Sequence, residues 1–448
     1  MYSQLILPDL LEMVRNQDAK GLAEFCAVLH PAHVAEILEE VNSKRVWEVL
    51  AHCDLARQIE IFEFLDLHKQ VELFSALDRE PLSRFIEEMS PDDRVDILSR
   101  LDSESVESVL PLVAQAERAN IRKLLSYPED SAGAIMTTEY ASLPENVMMS
   151  VAYEQLRLQA PTRETIYYIY VVDDARCLRG IISLQEMILA KPNALLHDVM
   201  HTNIISVRVD DDQEFVAQEL ARYDFIAIPV IDDDNRLVGI VTHDDVIDIL
   251  QEEATEDAYR AGAIEPLEDG YLDTPLLTLV WKRGVWLLVL SLFALVTAQV
   301  LDFFQNSTKP SNWMILFLPL VLASGGNAGS QSATLVIRSL ALGDLDRQKY
   351  LQLASRELLV GSMLGAMVAM VGFSAAMVWF QLSMVQSLIL LITLLLVMTL
   401  GAVNGSMLPL LFKRLGMDPA LMSNPLIAAL SDIIGVAIYF TIATLLFG

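Results

Sequence analysis

Asp432 is the sole ionisable side chain in the apolar run that follows Pro419. A carboxylate at the centre of a membrane span costs roughly 2.5–3.5 kcal/mol on insertion scales, so an acid there points to an ion pathway. A second polar segment, Ala323-Ser-Gly-Gly-Asn-Ala-Gly-Ser-Gln-Ser-Ala-Thr334, threads small and amide residues through another apolar stretch. Small residues permit close helix packing, while Asn327 and Gln331, one turn apart, put two amide carbonyls on one helical face. Outside the apolar runs, Asp244, Asp245, Asp248, Glu252, Glu253, Glu256 and Asp257 are seven acids within fourteen residues, with no Lys or Arg among them. On a helix these acids repel one another at i,i+4. Such a run is ordinarily a solvated face, but here it precedes the apolar half of an acidic chain, which favours compensation by cations. Hard divalent ions suit carboxylates, and Mg2+ binds through one or two of them while keeping several waters.

These groups need elements to hold them, and composition says of what kind. The chain has 448 residues, 53% apolar, with 31 basic and 60 acidic residues for a net charge of -29. Residues 1–275 hold 22 basic and 54 acidic residues, a net of -32, whereas residues 276–448 hold 9 and 6, a net of +3. A single soluble domain is excluded, and such a field repels nucleic acid. Cys26, Cys53 and Cys177 are unevenly spaced in the acidic part, which argues against a disulfide framework or a zinc cluster. A span needs about 20 apolar residues, and the uncharged runs predict five, at about 284–304, 312–337, 355–380, 386–412 and 422–446. If the spans alternate, Lys282, Arg283, Arg338, Arg347, Lys349, Arg356, Lys413 and Arg414 share one side and only Lys309 takes the other. That bias puts residues 1–275 in the cytoplasm and the C-terminus outside. No signal peptide is expected at the N-terminus.

From Phe62 to about Leu125 a twelve-residue repeat runs through Leu65, Leu77, Met89, Leu101, Val113 and Leu125, with a second register at Phe62, Phe74, Ile86, Leu98 and Leu110. Asp66, Asp78, Ser90 and Asp102 stand where helix caps belong. Short capped helices so arranged stack into an α-solenoid. In Ser90-Pro91-Asp92-Asp93 the carboxylates face the positive helix end, and Asp96 follows one turn later. Near Tyr127 the pattern turns to alternating strands and helices, and two stretches echo each other. Val171-Val-Asp-Asp174 answers Val230-Ile-Asp-Asp233, and Gly180-Ile-Ile-Ser183 answers Gly239-Ile-Val-Thr242, with Glu186 answering Asp245. This resembles a tandem pair of CBS modules. In that family Thr-x-x-Asp often contacts an adenine nucleotide's ribose, so Pro229, Thr242 and Asp245 are candidates for ATP; the simpler reading is a helix cap with a first-turn acid.

A membrane hydrolase is disfavoured. All seven histidines lie at or before His243, and only one Asp is expected within a span, so neither a His-Glu-x-x-His nor a paired-aspartate site can form there. A membrane-anchored nucleotide sensor without transport leaves Asp432 unexplained.

Gly325-Gly-Asn-Ala-Gly-Ser-Gln331, Arg338-x-x-Ala-Leu-Gly343, Gly416-Met-Asp-Pro-Ala420 and Asn424-Pro with Asp432 are similar to signature segments of MgtE-type magnesium channels. Tyr127-Pro-x-x-Ser-Ala-Gly133 and Glu253-Ala-Thr-Glu-Asp257 match the same family. The resemblance implies a multidomain membrane protein that is not an enzyme. Its parts are a helical superhelix at 1–128, a tandem CBS domain at 129–250 (131–190 and 195–250), a connecting plug helix at 251–275 and an all-α membrane domain of five transmembrane helices at 276–448. It further implies a homodimer in the lipid of the cytoplasmic membrane, taking up Mg2+ through a pore of Asp432, Asn327, Gln331 and Asn424, with Asp418 at its mouth. Intracellular Mg2+ on Asp92, Asp93, Asp96 and the acids from Asp244 to Asp257 would close it, and ATP would modulate it. The chain departs from the pattern at Ser324, Ala428 and Ala429, where Met and Thr are expected, so transport of Mn2+, Co2+ or Ni2+ stays open.

Overall fold

The computed structural model describes residues 2–77, 79–101, 106–107, 110–267, 270–272, 274–308, 312–341, 345, 349–421 and 423–447. Asp78, Asp102, Lys309, Gly343 and Arg347 of the sequence reading lie outside these residues. The chain forms two compact units, Met1–Leu250 and Gln251–Gly448.

The first unit begins with short helices whose starts fall twelve residues apart, at Leu55, Leu67, Arg79 and Pro91. The repeat starts well before Phe62. Capping positions at Asp18, His30, Asn42 and Asp54 continue the same spacing, and their side chains accept from Gly21, Ala32, Arg45 and Arg57 backbone N–H groups at 3.0, 3.3, 3.0 and 2.9 Å. Asp66 and Ser90 hold the cap positions without a side-chain cap bond. A second device shares the period. Gln58, Gln70, Arg94 and Arg118 donate to the carbonyls of Cys53, Leu65, Met89 and Val113, five residues back in each case, at 3.0, 2.9, 2.6 and 3.0 Å. They satisfy carbonyls that a helix end leaves open. Each helix packs mainly on the next but one, so the two apolar registers, including Phe62, Phe74, Ile86 and Leu98, close into one continuous core.

Two three-stranded sheets follow. β1 (Tyr140–Pro144), β2 (Thr165–Val172) and β3 (Leu178–Ser183) lie in that order, as do β4 (Val207–Arg208), β5 (Ala227–Ile231) and β6 (Leu237–Thr242). In both sheets the first pair is parallel and the second antiparallel, which requires a crossover helix between the parallel strands. Met149–Gln159 and Gln213–Arg222 supply it. The repeated Asp-Asp pairs make the turns: Asp173 and Asp232 each accept two backbone N–H bonds, and Arg176 and Asn235 take left-handed φ of 65° and 58°. A bridge between Cys177 and Arg236 joins the two turns. The internal echo is therefore a true structural repeat, a tandem CBS pair.

A helix from His243 to Ala261 ends the pair and runs on past Leu250. It stops well short of 275: Ala263 turns left-handed at φ 59°, and the Glu265 N–H then bonds the Lys282 carbonyl at 3.2 Å.

The second unit has five helices long and apolar enough to cross a membrane: Leu276–Thr308, Asn312–Ala341, Tyr350–Val378, Met384–Arg414 and Asn424–Phe447. The first four overrun the expected spans at one or both ends, where helix continues into charged flanks. The first therefore contains Lys282, Arg283 and Asp302, and the third contains Glu357. Asp432 is thus not the only acid inside these helices, contrary to the expectation of one Asp. Asp302 is exposed and accepts from Asn306 at 3.0 Å. The fourth helix is the hub, packing on the second, third and fifth. Its closeness to the second depends on glycine: a β-carbon at Gly401 or Gly405 would collide with the carbonyl of Gly325 or Gly329.

Candidate ion pathway and regulatory carboxylates

The second helix divides its polar segment between two faces. Gly325, Gly326, Ala328 and Gly329 are buried, with Gly326 against Ala428 and Gly329 against Ile427 of the fifth helix. Ala428 thus stands where a larger side chain would press on Gly326. On the other face Asn327, Gln331 and Thr334 are exposed, forming a polar stripe at helical spacing. Asn424 is tied to this helix, its side-chain oxygen accepting from Thr334 at 3.3 Å and its carbonyl from Ser330 at 3.1 Å. Asp432 is half-buried one residue beyond Ser431, a buried serine whose hydroxyl has no hydrogen-bond partner. Sequence reasoning missed Glu357. It is buried in the third helix and accepts from Ser332 at 2.7 Å. Its only sequence signal is an acid at the edge of an apolar run beside Arg356.

Asp418 precedes the fifth helix, where it accepts from the Ala420 N–H at 2.7 Å and pairs with Arg260, which also pairs with Glu256 one turn back. Burial raises the carboxyl of neighbouring Asp257 above its usual range, against the opposing pull of Arg260 and Arg338. Glu253 is half-buried and Glu252 exposed on the same helix.

In the first unit the opposite condition holds. Asp92 is buried, and its Oδ1 has no hydrogen-bond partner among the described residues. Burial, then the charges of Asp245, Asp93 and Glu164, push it well above the ordinary carboxylate range. Asp93 is raised by burial and by Asp244 and Asp248, although Ser90 donates to it at 2.6 Å. Asp245, which accepts from Thr242 at 2.6 Å, is raised by burial, Asp244 and Asp93 to about 6. Two further acids join: Glu63, raised by burial, Asp93 and Glu164 to about 8, and Glu164, raised by desolvation, Asp245 and Asp244 to about 7. Neither belongs to an acidic motif, so sequence reading passed over both. Asp96 is exposed one turn beyond Asp92. Among the described residues no three of these acids close into a tight ligand set. An all-carboxylate group around an unpartnered buried oxygen fits a hard, partly hydrated cation.

Pro229 lies in β5, beside Val230 in the buried centre of the second CBS sheet. The first copy matches the Thr242–Asp245 pair with a full capping box: Ser183 accepts from the Glu186 N–H, and Glu186 from the Ser183 N–H. His201 lies 2.5 Å from Glu186.

Comparison with known proteins agrees with this geometry. Residues 318–442 match the MgtE divalent cation transporter model, residues 29–130 the MgtE intracellular N domain and residues 196–252 the CBS domain. The chain is 38% identical over 360 residues to the magnesium transporter MgtE of Thermus thermophilus, covering 80% of each. It is 36% identical to that of Enterococcus faecalis, covering 73% of this chain and 72% of the relative. The crystal structure of the soluble part of a magnesium transporter superposes with a TM-score of 0.52 at 34% identity, over 56% of this chain and 99% of that one. The cytosolic domain of the Mg2+ channel MgtE in complex with ATP does so with a TM-score of 0.52 at 35% identity, over 54% and 99%. The chain belongs to the MgtE family of magnesium transporters.

Proposed function

We propose that this protein carries Mg2+ into the cell through a pore lined by Asp432, with Asn327, Gln331 and Asn424 beside it, and that cytosolic Mg2+ closes it. One observation carries the transport reading: a lone carboxylate half-buried in the fifth helix of a transporter family member, next to a second helix whose exposed face is amide and hydroxyl. One carboxylate per chain is thin provision for a divalent ion, so two copies around an axis, as in a C2 dimer, provide the pair. With residues 1–275 cytosolic, five spans put the C-terminus outside. Asp432→Ala is expected to abolish Mg2+ uptake into proteoliposomes, and uptake at the parent rate would refute the pore.

Closure is assigned to the group of Glu63, Asp92, Asp93, Glu164, Asp244 and Asp245. Burial and mutual repulsion raise the carboxyls of Glu63, Asp92, Asp93, Glu164 and Asp245, and a bound Mg2+ would take the place of their protons. The remaining water ligands suit a group too wide to ligate the ion directly. Acids of the linking helix act differently, because Arg260 already satisfies Glu256 and Asp418. Limited proteolysis tests the assignment: millimolar Mg2+ should protect the first unit, and an unchanged cleavage pattern would remove the regulatory role. Since the related cytosolic domain was crystallised with ATP, we assign ATP to the CBS pair, with Thr242 and Asp245 as ribose partners. That site borders the carboxylate group, so ATP and a bound cation are expected to influence each other. Uptake of Mn2+, Co2+ and Ni2+ alongside Mg2+ remains the second reading, favoured by Ala428 facing Gly326.

A further inference from the structure

The CBS pair carries seven arginines, and five are ion-paired: Arg157 with Glu154, Arg179 with Asp173, Arg208 with Asp210 and Asp233, Arg222 with Glu219, and Arg236 with Asp234. Two, Arg163 and Arg176, have no carboxylate at ion-pair distance among the described residues. In a chain with 60 acids against 31 bases, two unpaired guanidiniums are unexpected, and both line the same cleft. This cleft of about 480 Å3 is walled by Thr138, Tyr140, Ser142 and Gln159 as well, with no acid in its lining. The Arg163 Nε is buried without a hydrogen-bond partner. Arg176 is held over the cleft by its bond to the Tyr140 hydroxyl at 2.6 Å, and that hydroxyl in turn donates to the Leu237 carbonyl at 2.9 Å. Glu139 feels Arg163 without reaching ion-pair distance. Through Thr138, Tyr140 and Arg176 the cleft adjoins a second of about 440 Å3, where Lys123 and Arg236 face Glu117 and Asp232, and Leu237 and Val238 add apolar surface.

We propose that this arginine cleft binds a small phosphate-bearing anion, at a site separate from Thr242 and Asp245. A planar guanidinium matches phosphate oxygens in a bidentate fork, and the hydroxyls of Thr138 and Ser142 in the same lining add donors to the two guanidiniums. The phosphates belong in the acid-free compartment. The adjoining compartment, with apolar walls and the polar side chains of Asn120 and Asp232, has room for a nucleoside.

The test is equilibrium dialysis of the full-length protein in detergent with inorganic phosphate, pyrophosphate and ADP as probes. Saturable binding near one per chain is expected. Arg163→Gln and Arg176→Gln should each weaken it by about tenfold or more, the scale of one lost charge-assisted pair. Arg163→Lys should recover part of the loss. Arg157→Gln, which alters a paired arginine on the neighbouring helix, should leave binding unchanged, and ADP is measured in an Asp245→Asn background so that the proposed ribose site does not contribute. ADP binding well above phosphate identifies a nucleotide, and equal binding identifies free phosphate. Unchanged melting temperatures exclude misfolding as the cause of a loss. If none of the three probes binds saturably, or if both glutamine variants bind like the parent, the proposal is overturned.

Discussion

One acidic run on one helix has two different fates. Asp244, Asp245 and Asp248 raise, or are raised by, carboxylates of the solenoid and the first CBS module, and among the described residues no Lys or Arg forms an ion pair with them. Glu256 and Asp257, hardly three turns later, have Arg260 for company, and Arg260 also takes Asp418. Identical residue types thus serve opposite ends. In the first unit they add to a mutually repelling carboxylate group that a metal could claim, whereas in the second Glu256 already has an arginine partner. The lesson is that a count of acids does not measure a cation sensor. What counts is how many stay uncompensated after folding.

The comparison can be broken or sharpened in four ways. The largest effect is expected from Gly405→Val, because a β-carbon there meets the Gly329 carbonyl backbone. Overpacking of this kind costs about 1–3 kcal/mol or more, and the membrane unit should lose its monodisperse elution. Mg2+ protection of the first unit should survive, and its loss would show that the units do not sense separately. Next comes Asp92→Asn, which removes an ionisable carboxyl from a buried, mutually repelling group. The metal-free first unit should gain stability, raising its melting temperature by about 2–4 °C for each kcal/mol relieved, while its Mg2+-induced shift shrinks. A fall in melting temperature would mean that Asp92 is satisfied by protein.

The third prediction is the pH dependence. Glu63, Glu164 and Asp245 are raised to about 8, 7 and 6 in the fold, so the folded state holds protons that the unfolded chain releases. Their stabilising contribution is complete below the ordinary carboxylate range and disappears as pH rises through about 6 to 8. Thermal melts without Mg2+ should therefore fall across that window, and millimolar Mg2+ should flatten the slope; a Mg2+-independent profile would separate the acids from the metal. The smallest effect belongs to Arg260→Gln. Its pairs are partly exposed and worth at most about 1 kcal/mol, so stability should barely change, whereas the Mg2+ concentration of the proposed closure should fall about two- to threefold, read by patch-clamp current, because Glu256 and Asp418 lose their competing cation.

Much of this was legible in the residues. Five spans followed from charge-free runs, and the CBS pair from the echo of Val-Asp-Asp turns and hydroxyl-x-x-acid caps. Helix ends were not, because Lys282 and Glu357 continue helices that hydropathy alone would end. The solenoid's earlier units escaped because their caps are of mixed type, Asp18, His30, Asn42 and Asp54, although apolar Cys26, Leu38 and Leu50 keep the later register. Glu63 and Glu164 were invisible for a different reason: they are single acids brought to the group by folding across a hundred residues. Arg260 lies three positions beyond the acidic window, which therefore looked devoid of cations. Neither Arg163 nor Arg176 belongs to a motif; only the pairing of every other arginine in the module sets them apart.

The solenoid's period bears on how such a protein can change length. Helices start every twelve residues but pack on the next but one, so the pattern alternates between two stacks. Excising one period keeps every cap and apolar register, yet it moves all preceding helices to the opposite stack. Excising two periods restores each helix to its own side. Insertions and deletions upstream of Asp92 should therefore be tolerated in pairs of helices, making the scaffold a ladder that is lengthened two rails at a time.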